Sequence, residues 1–253
     1  MRIERDDWLS GVLGRASWKV SAVSARTQPA QIRAGLLDRA GQDPAFFSAK
    51  IPTSDVVAVA NATRAGFSGV DVNVTFDWAR MPAAGVDNAD GQATDMAIEI
   101  ANPGDTAAIE HVAARCFTFS RFHLDPDIGV DLANEIKRQW AGNACRGRAS
   151  AVYVTRGPGG IAGFLAVLES RSDVGTDAII DLVGVAASHQ GRGAGRALSR
   201  TFIDQWRGRA DRLRVGTQIS NIPAMRLYES LGFRVAETAY VLHAQVNQGA
   251  VAA

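Results

Sequence analysis

The sequence predicts an α/β fold of the α+β kind, built in two coupled units, and three observations predict it. Stretches with a period of two, or with continuous apolar runs, interleave with stretches of helical spacing along the whole chain. At 253 residues with 47% apolar side chains, the chain can bury one large core or two smaller ones. Between the two groups of elements, "MPAAGVDNADGQ" at 81–92 gathers Gly, Pro, Asn and Asp without periodicity, which is the composition of a linker. The division that follows is an N-terminal α/β unit over 1–80, a linker over 81–93, a mixed domain over 94–246 and a frayed tail over 247–253.

In the first unit, "ASWKVSAVSA" and "VDVNVTFDW" alternate as strands, while "QIRAGLLDRA" and "SDVVAVANATRAG" have helical spacing and end near glycines. In the second, "MAIEIA" alternates as a strand and Asp105 stands where it could cap a helix through "TAAIEHVAARCF". A further helix fits "VDLANEIKRQWAG", with Gly142 placed to end it. "SAVYVT", a turn at "RGPGG" and "IAGFLAVLE" read as a hairpin. "AIIDLVGVA" follows as a nearly continuous apolar strand, the pattern of a strand buried on both faces. Helix "RALSRTFIDQW", strand "LRVGTQ", helix "NIPAMRLYESLGF" closed by Gly232, and strand "TAYVLHAQV" complete the order.

The totals exclude several functions. Lys and Arg number 27 against 26 Asp and Glu, so no bulk field favours nucleic acid or an anionic membrane, and any bound anion must be held by local basic groups. Cys116 and Cys145 form no CxxC pair or His/Cys cluster, so they are expected as reduced thiols and no metal site is expected. The start, "MRIERDDW", is charged, and no run reaches the roughly 18 apolar residues of a membrane span. A soluble, cytoplasmic protein is the expectation.

The stretch "HQGRGAGRAL" at 189–198 sets Gly191, Gly193 and Gly195 just ahead of a helix. A nucleotide-hydrolysing phosphate loop needs a Lys after its glycines, and none follows. A dinucleotide loop needs GxGxxG, whereas these glycines run GxGxG, and the acidic partner about 20 residues on would be Asp211 in an arginine-rich turn. What remains is a strand, a short loop that lets backbone approach a ligand, and a helix whose first amides and dipole face an anion. Arg192 and Arg196 add fixed positive charge.

Read as Gln190-x-x-Gly193-x-Gly195 after Val183-x-Val185, this segment resembles the acetyl-CoA signature of the Gcn5-related N-acetyltransferases (GNAT). The family's second signature resembles "NIPAMRLYESLGF", with Asn221, Ala224, Leu227, Tyr228, Leu231, Gly232 and Phe233 in the matching places. The two stand in the family's order, one helix and one strand apart, and the resemblance covers roughly 94–246. A looser similarity reaches the rest of the chain. "FSRFHLDPDIG", "IKRQWAGNACRG", "VLGRASWKV", "AKIPTSD", "AGFSGVDVNV" and "ETAYVLH" are similar to segments of TDP-fucosamine acetyltransferases, which acetylate a 4-amino-4,6-dideoxy sugar carried on a nucleotide.

The resemblance implies a mixed, mostly antiparallel sheet flanked by helices, with acetyl-CoA as co-substrate and no metal. The strand at Val183 and Val185 would part from its neighbour, with the Val185 N–H stabilising the oxyanion. Gln190, Gly191, Arg192, Gly193, Ala194, Gly195 and Arg196 would cradle the CoA pyrophosphate. Tyr228 would be the general acid to the departing thiolate. For Asn221 two jobs stand open, helix N-cap and contact with the pantetheine. For the general base, Asp71 stands where the sugar-nucleotide enzymes carry a longer glutamate, and Asp181 falls by the period of two on the face of Val183 and Val185. Arg121, His123, Trp140 and Arg146 are the candidates for the acceptor, since guanidinium groups pair with diphosphate and a Trp face stacks on a base or sugar. Other expectations stay open: a different small amine, an antibiotic or a protein N-terminus as acceptor, a non-catalytic acetyl-CoA sensor, and a homodimer.

Overall fold

The computed structural model describes residues 1–79, 96–173, 175–247 and 249–251, so the linker expected at 81–93 lies outside the described residues. The first unit runs β1 (Arg2–Arg5), α1 (Asp7–Leu13), β2 (Ala16–Ser21), α2 (Pro29–Ala40), β3 (Ala45–Pro52), α3 (Val56–Arg64) and β4 (Ser68–Trp78). After the linker come β5 (Ile98–Ile100), α4 (Thr106–Cys116), α5 (Val130–Asn143), β6 (Ala151–Gly157), β7 (Gly160–Ser172), β8 (Gly175–Val185) and α6 (Ala194–Trp206). The chain ends with β9 (Arg212–Gln218), α7 (Ile222–Ser230), β10 (Phe233–Asn247) and β11 (Ala250–Val251).

The described strands form one sheet in the order β1-β2-β3-β10-β4-β9-β8-β7-β6-β5, with β11 against β10. Only the pairs β2/β3 and β8/β9 are parallel, so the expected mixed, mostly antiparallel sheet is what forms. The long β10 lies between β3 and β4 and ties the first unit into the sheet of the second. Apolar side chains collect where helices cover this sheet. Ile32, Leu36, Ala58 and Ala62 of α2 and α3 pack on Phe47 and on Leu242 and Ala244. Leu198 and Phe202 of α6, Tyr228 of α7 and Leu231 just after it pack on Phe76, Leu165 and Ile180. Ile109, Val112 and Ala141 of α4 and α5 cover the other side of β7 and β8 at Phe164, Ala166 and Leu182.

Several local expectations are corrected. Asp105 offers α4 no capping bond; its carboxylate accepts from the Asn102 amide at 2.9 Å and pairs with Arg156, closing a short 3-10 turn at Pro103–Asp105. Gly142 does not end α5, which continues into a wider turn at Ala144–Arg148 that breaks at Gly147, whose φ of 103° suits glycine. The tail is not frayed throughout: Ala250 pairs with Asn247 and Val251 with Val246, and Val251 is buried. Three elements escaped the pattern reading. "AFFSAKIP" forms β3, whose first five residues are all buried and so show no alternation, while β1 and α1 are too short for a period to register.

Candidate functional site

Strands β8 and β9 pair in parallel from Asp177/Arg212 to Ile180/Val215 and no further, although β8 continues to Val185 and β9 to Gln218. Beyond Ile180 they part. The opening leads into a cleft of about 1190 Å³ lined by residues 179–185 of β8, 214–218 of β9, the loop from His189, and Asn221 and Tyr228 of α7. The first unit supplies Lys19, Ser48, Lys50, Asn73 and Thr75 to the same cleft, the connection from α4 to α5 supplies Arg121, and α5 supplies Trp140.

A β-bulge starts the divergence. Ile180 pairs with Val167 and Leu182 with Ala166, leaving Asp181 as an extra residue on β8. The period of two therefore fails at this point. Ile180 and Val183 pack beneath α6 and α7, Leu182 packs beneath α4 and α5, and Asp181 reaches α5. Its carboxylate accepts from Trp140 Nε1 at 2.8 Å and pairs with Arg148. Asp181 thus does not share the face of Val183, and its oxygens are engaged by an indole and a guanidinium.

The backbone past the bulge is turned toward the gap. Ala186 N–H donates to Ala162 O on β7, so by the alternation of a strand the Val185 N–H and C=O face away from β7. Gln190 Nε2 donates to the Val185 carbonyl at 3.2 Å on that side. Cys116 Sγ lies against Gly184; burial pushes its thiol up to about 12, against opposing pulls from Lys137 and from the Cys116 and Val185 amides. That group stays a thiol at neutral pH, as does Cys145, whose thiol burial also raises.

Below the gap, α6 begins at Gly193, whose φ of 87° is left-handed and which has no side chain to cap the helix. The first intrahelical bond is Ala197 N–H to Gly193 O, so the amides of Ala194, Gly195 and Arg196 are the helix's orphan donors. No atom lies within 4 Å of where a Cβ would project from Gly191. A loop with open space over unpaired amides and a helix dipole fits an anion such as a pyrophosphate. Arg196 lines the cleft and donates to Ser230 Oγ at 2.9 Å, whereas Arg192 is exposed and is not among the lining residues.

On α7, Asn221 is the N-cap: its Oδ1 accepts from the Ala224 amide at 3.3 Å while it lines the cleft, so one of its two expected jobs is filled. Two turns on, the Tyr228 ring lies 5.9 Å from both Phe76 and Phe233. Burial holds its phenol well above the ordinary value, so it is protonated at neutral pH. On the far wall, Asp71 of β4 lies in register with Val241 of β10, itself opposite Lys50 of β3. Burial raises the Asp71 carboxyl to about 6, against hydrogen bonds from the Val72 and Ile219 amides and the charge of Lys50; its Oδ2 is buried without a partner among the described residues. Asp71 stands beside the lining residues Lys50 and Asn73 rather than among them.

The four acceptor candidates do not converge. Arg121 and Trp140 line the cleft. His123 does not: its Nδ1 bonds Ser120 Oγ at 2.6 Å and its Nε2 bonds Asn134 Oδ1 at 3.0 Å, which closes its own loop. Arg146 is exposed and pairs with Glu110 at 2.9 Å, away from the cleft lining. Sequence reasoning missed Lys50 and Lys137, both in the lining, and His243, which joins Asp125 to Arg121. His243 Nδ1 donates to Asp125 Oδ2 at 2.6 Å, both residues being 3% exposed, and its Nε2 stands 3.5 Å from Arg121 Nη1. Burial, outweighing the Asp125 bond, lowers the His243 pKa, so a neutral imidazole links the two. A Lys and a His inside helix and strand patterns carry no spacing signal, which is why they were missed.

A family model described as "Acetyltransferase (GNAT) family" matches residues 106–233. The chain is 37% identical over 142 residues to the spore coat polysaccharide biosynthesis protein SpsD of Bacillus subtilis, a match covering 56% of this chain and 48% of that protein. It is 31% identical over 200 residues to the dTDP-fucosamine acetyltransferase of Escherichia coli O6:H1, covering 77% of this chain and 80% of that protein. Among solved structures, a GCN5-related N-acetyltransferase from Sphaerobacter thermophilus superposes with a TM-score of 0.54 at 15% identity, over 92% of this chain and 75% of that one, a likeness of fold.

Proposed function

Because the chain belongs to the acetyltransferase (GNAT) family, we propose that it moves an acetyl group from acetyl-CoA to the primary amine of a nucleotide-linked amino sugar by direct attack. The observation that carries this reading is the cleft itself. A glycine-capped helix start, a strand turned by a bulge and a buried phenol meet in one cavity with side chains of the N-terminal unit. The similarity to the dTDP-fucosamine enzyme extends over most of the chain and supports the sugar nucleotide as acceptor. Residues 1–80 then form the half-domain that shapes the acceptor's side of the cleft, and Lys19, Lys50, Asn73 and Thr75 are its contribution.

In this reading acetyl-CoA supplies a thioester carbon open to an amine. The amides of Ala194, Gly195 and Arg196 hold the pyrophosphate, and Arg196 adds a charge that does not titrate near neutrality. Val185 N–H, already directed into the gap, stabilises negative charge on the carbonyl oxygen without having to reorient. The amine nitrogen forms the new C–N bond as the C–S bond breaks. Tyr228 gives its proton to the departing sulfur, a role for which a phenol kept neutral by burial is suited, and regains one as the newly acylated nitrogen sheds its extra proton. The ammonium of the acceptor loses its proton through water to Asp71, whose raised pKa leaves it ionised above about pH 6. Asp181 holds Trp140 and Arg148 in place and is assigned to position rather than to proton transfer.

Release of free thiol from acetyl-CoA tests the reading. Rapid turnover with a dTDP-4-amino-4,6-dideoxyhexose is expected. Turnover only with other amines would refute the acceptor, and acetyl-CoA binding without turnover of any amine would refute the enzyme.

A further inference from the structure

The cleft lining carries three cations for which the described residues offer no carboxylate within salt-bridge distance: Lys50, Arg121 and Lys137. Lys137 is 8% exposed, and its Nζ lies 4.8 Å from the Phe117 ring centre and 4.7 Å from that of Trp140. Lys50 Nζ donates to Asn73 Oδ1 at 3.1 Å, a neutral partner. Arg121 stacks over Phe122 at 4.4 Å and reaches only the neutral His243. Of the acidic groups nearby, Asp6 pairs with Lys19, Asp125 with His243, Asp181 with Arg148 and Glu237 with Arg214, while Asp71 acts on Lys50 through its charge without a salt bridge. Burial lowers the pKa of all three, and after burial the charge of Arg121 lowers both lysines further. The buried Lys137 and half-buried Arg121 face the same cavity as the exposed Lys50, a gathering of like charge that a ligand's negative charge would offset.

We propose that Lys50, Arg121 and Lys137 form an anion subsite that binds the diphosphate of the acceptor, separate from the α6 loop that binds the donor. This rests on the reading of the acceptor as a nucleotide-linked sugar. A diphosphate diester carries two negative charges and several acceptor oxygens, enough to engage one planar guanidinium and two ammonium groups at once. Asp125 and His243 position Arg121: the imidazole, fixed by its bond to the carboxylate, presents Nε2 to the guanidinium. The subsite joins the N-terminal unit, through Lys50, to α5, through Lys137.

Calorimetric titration of the acetyl-CoA-saturated protein with dTDP, and separately with inorganic pyrophosphate, tests the subsite. Both probes are expected to bind without displacing acetyl-CoA, and K50M and K137M are each expected to weaken dTDP about tenfold or more. K137R should recover most of the loss, while acetyl-CoA affinity and the thermal midpoint report that each variant is folded. Displacement of acetyl-CoA by dTDP would place the anion on the donor loop and overturn the subsite, as would unchanged dTDP affinity in both methionine variants. The acceptor reading fails separately. Lysine-dependent dTDP binding with no turnover of any sugar nucleotide would leave the subsite and remove the acceptor. Turnover of a dTDP-amino sugar with an unchanged KM in K50M and K137M would leave the acceptor and remove the subsite.

Discussion

Replacing Asp71 by Asn should change stability and the pH profile in opposite senses, and both follow from one desolvated carboxylate. The Asp71 carboxyl is raised from 3.8 to about 6, chiefly by burial. The difference of about 2 units corresponds to a ceiling of about 3 kcal/mol, at 1.36 kcal/mol per unit. Asp71 is only partly buried, so solvent screening reduces this to about 1 to 1.5 kcal/mol. A raised folded-state pKa favours the folded protein while the group is protonated, and that stabilisation is lost as pH rises through about 6. At pH 8 the wild type therefore carries an unfavourable buried charge that Asn lacks. D71N should melt about 2 to 5 °C higher than wild type at pH 8 and within a degree of it at pH 4. Its acetyl transfer should fall at least tenfold at pH 7, and the rise in kcat/KM through pH 6 that the base imposes on the wild type should disappear. Calorimetric melts at the two pH values and a thiol-release profile from pH 5 to 9 measure both effects. An unchanged melting difference between pH 4 and pH 8 would refute the desolvation argument, and a D71N enzyme that keeps the limb near pH 6 would refute the base.

Tyr228→Phe keeps the ring between Phe76 and Phe233 and removes only the hydroxyl; kcat should drop about a hundredfold or more with acetyl-CoA KM little changed, and full turnover at saturating amine would exclude the acid role. Gly193→Val forces a β-branched residue to a φ of 87° and puts bulk over the orphan amides of α6. The KM for acetyl-CoA should rise about tenfold or more while far-ultraviolet circular dichroism stays native, and unchanged kinetics would remove the loop from the donor site. At Gly184, a Cβ would meet Cys116 Sγ at 2.6 Å and Phe164 Cε1 at 2.7 Å. G184A should cost about 1 to 3 kcal/mol in urea unfolding, and adding C116A should return part of it; additive losses would show that the two residues do not share the strain.

How far the site was legible depends on whether each part of it is made by backbone or by side chains from distant strands. The glycine loop of the proposed donor half was legible because a loop that presents amides needs glycines at fixed spacing, and Gly191, Gly193 and Gly195 announce themselves; the same holds for Asn221, which must precede α7 to cap it. The proposed acceptor half takes single side chains from β3, the α4–α5 connection and α5, which the sheet order brings together only once β10 has inserted between β3 and β4. Nothing in the spacing of Lys50, Arg121 and Lys137 reports that meeting. Asp181 fails for a different reason. A period of two is a statement about regular pairing, and one unpaired residue on β8 reverses every assignment across it. That same extra residue lies next to Ile180, where β8 leaves β9, so the irregularity that defeated the pattern stands where the cleft opens. A regular strand would have kept its ladder to β9 and left the Val185 amide no gap to face. Deleting Asp181 outright, rather than substituting it, should therefore restore the period, extend the β8/β9 ladder and abolish acetyl-CoA binding. D181N, which keeps the bulge, should still bind acetyl-CoA, and equal donor affinity in the two variants would show that the bulge does not make the opening.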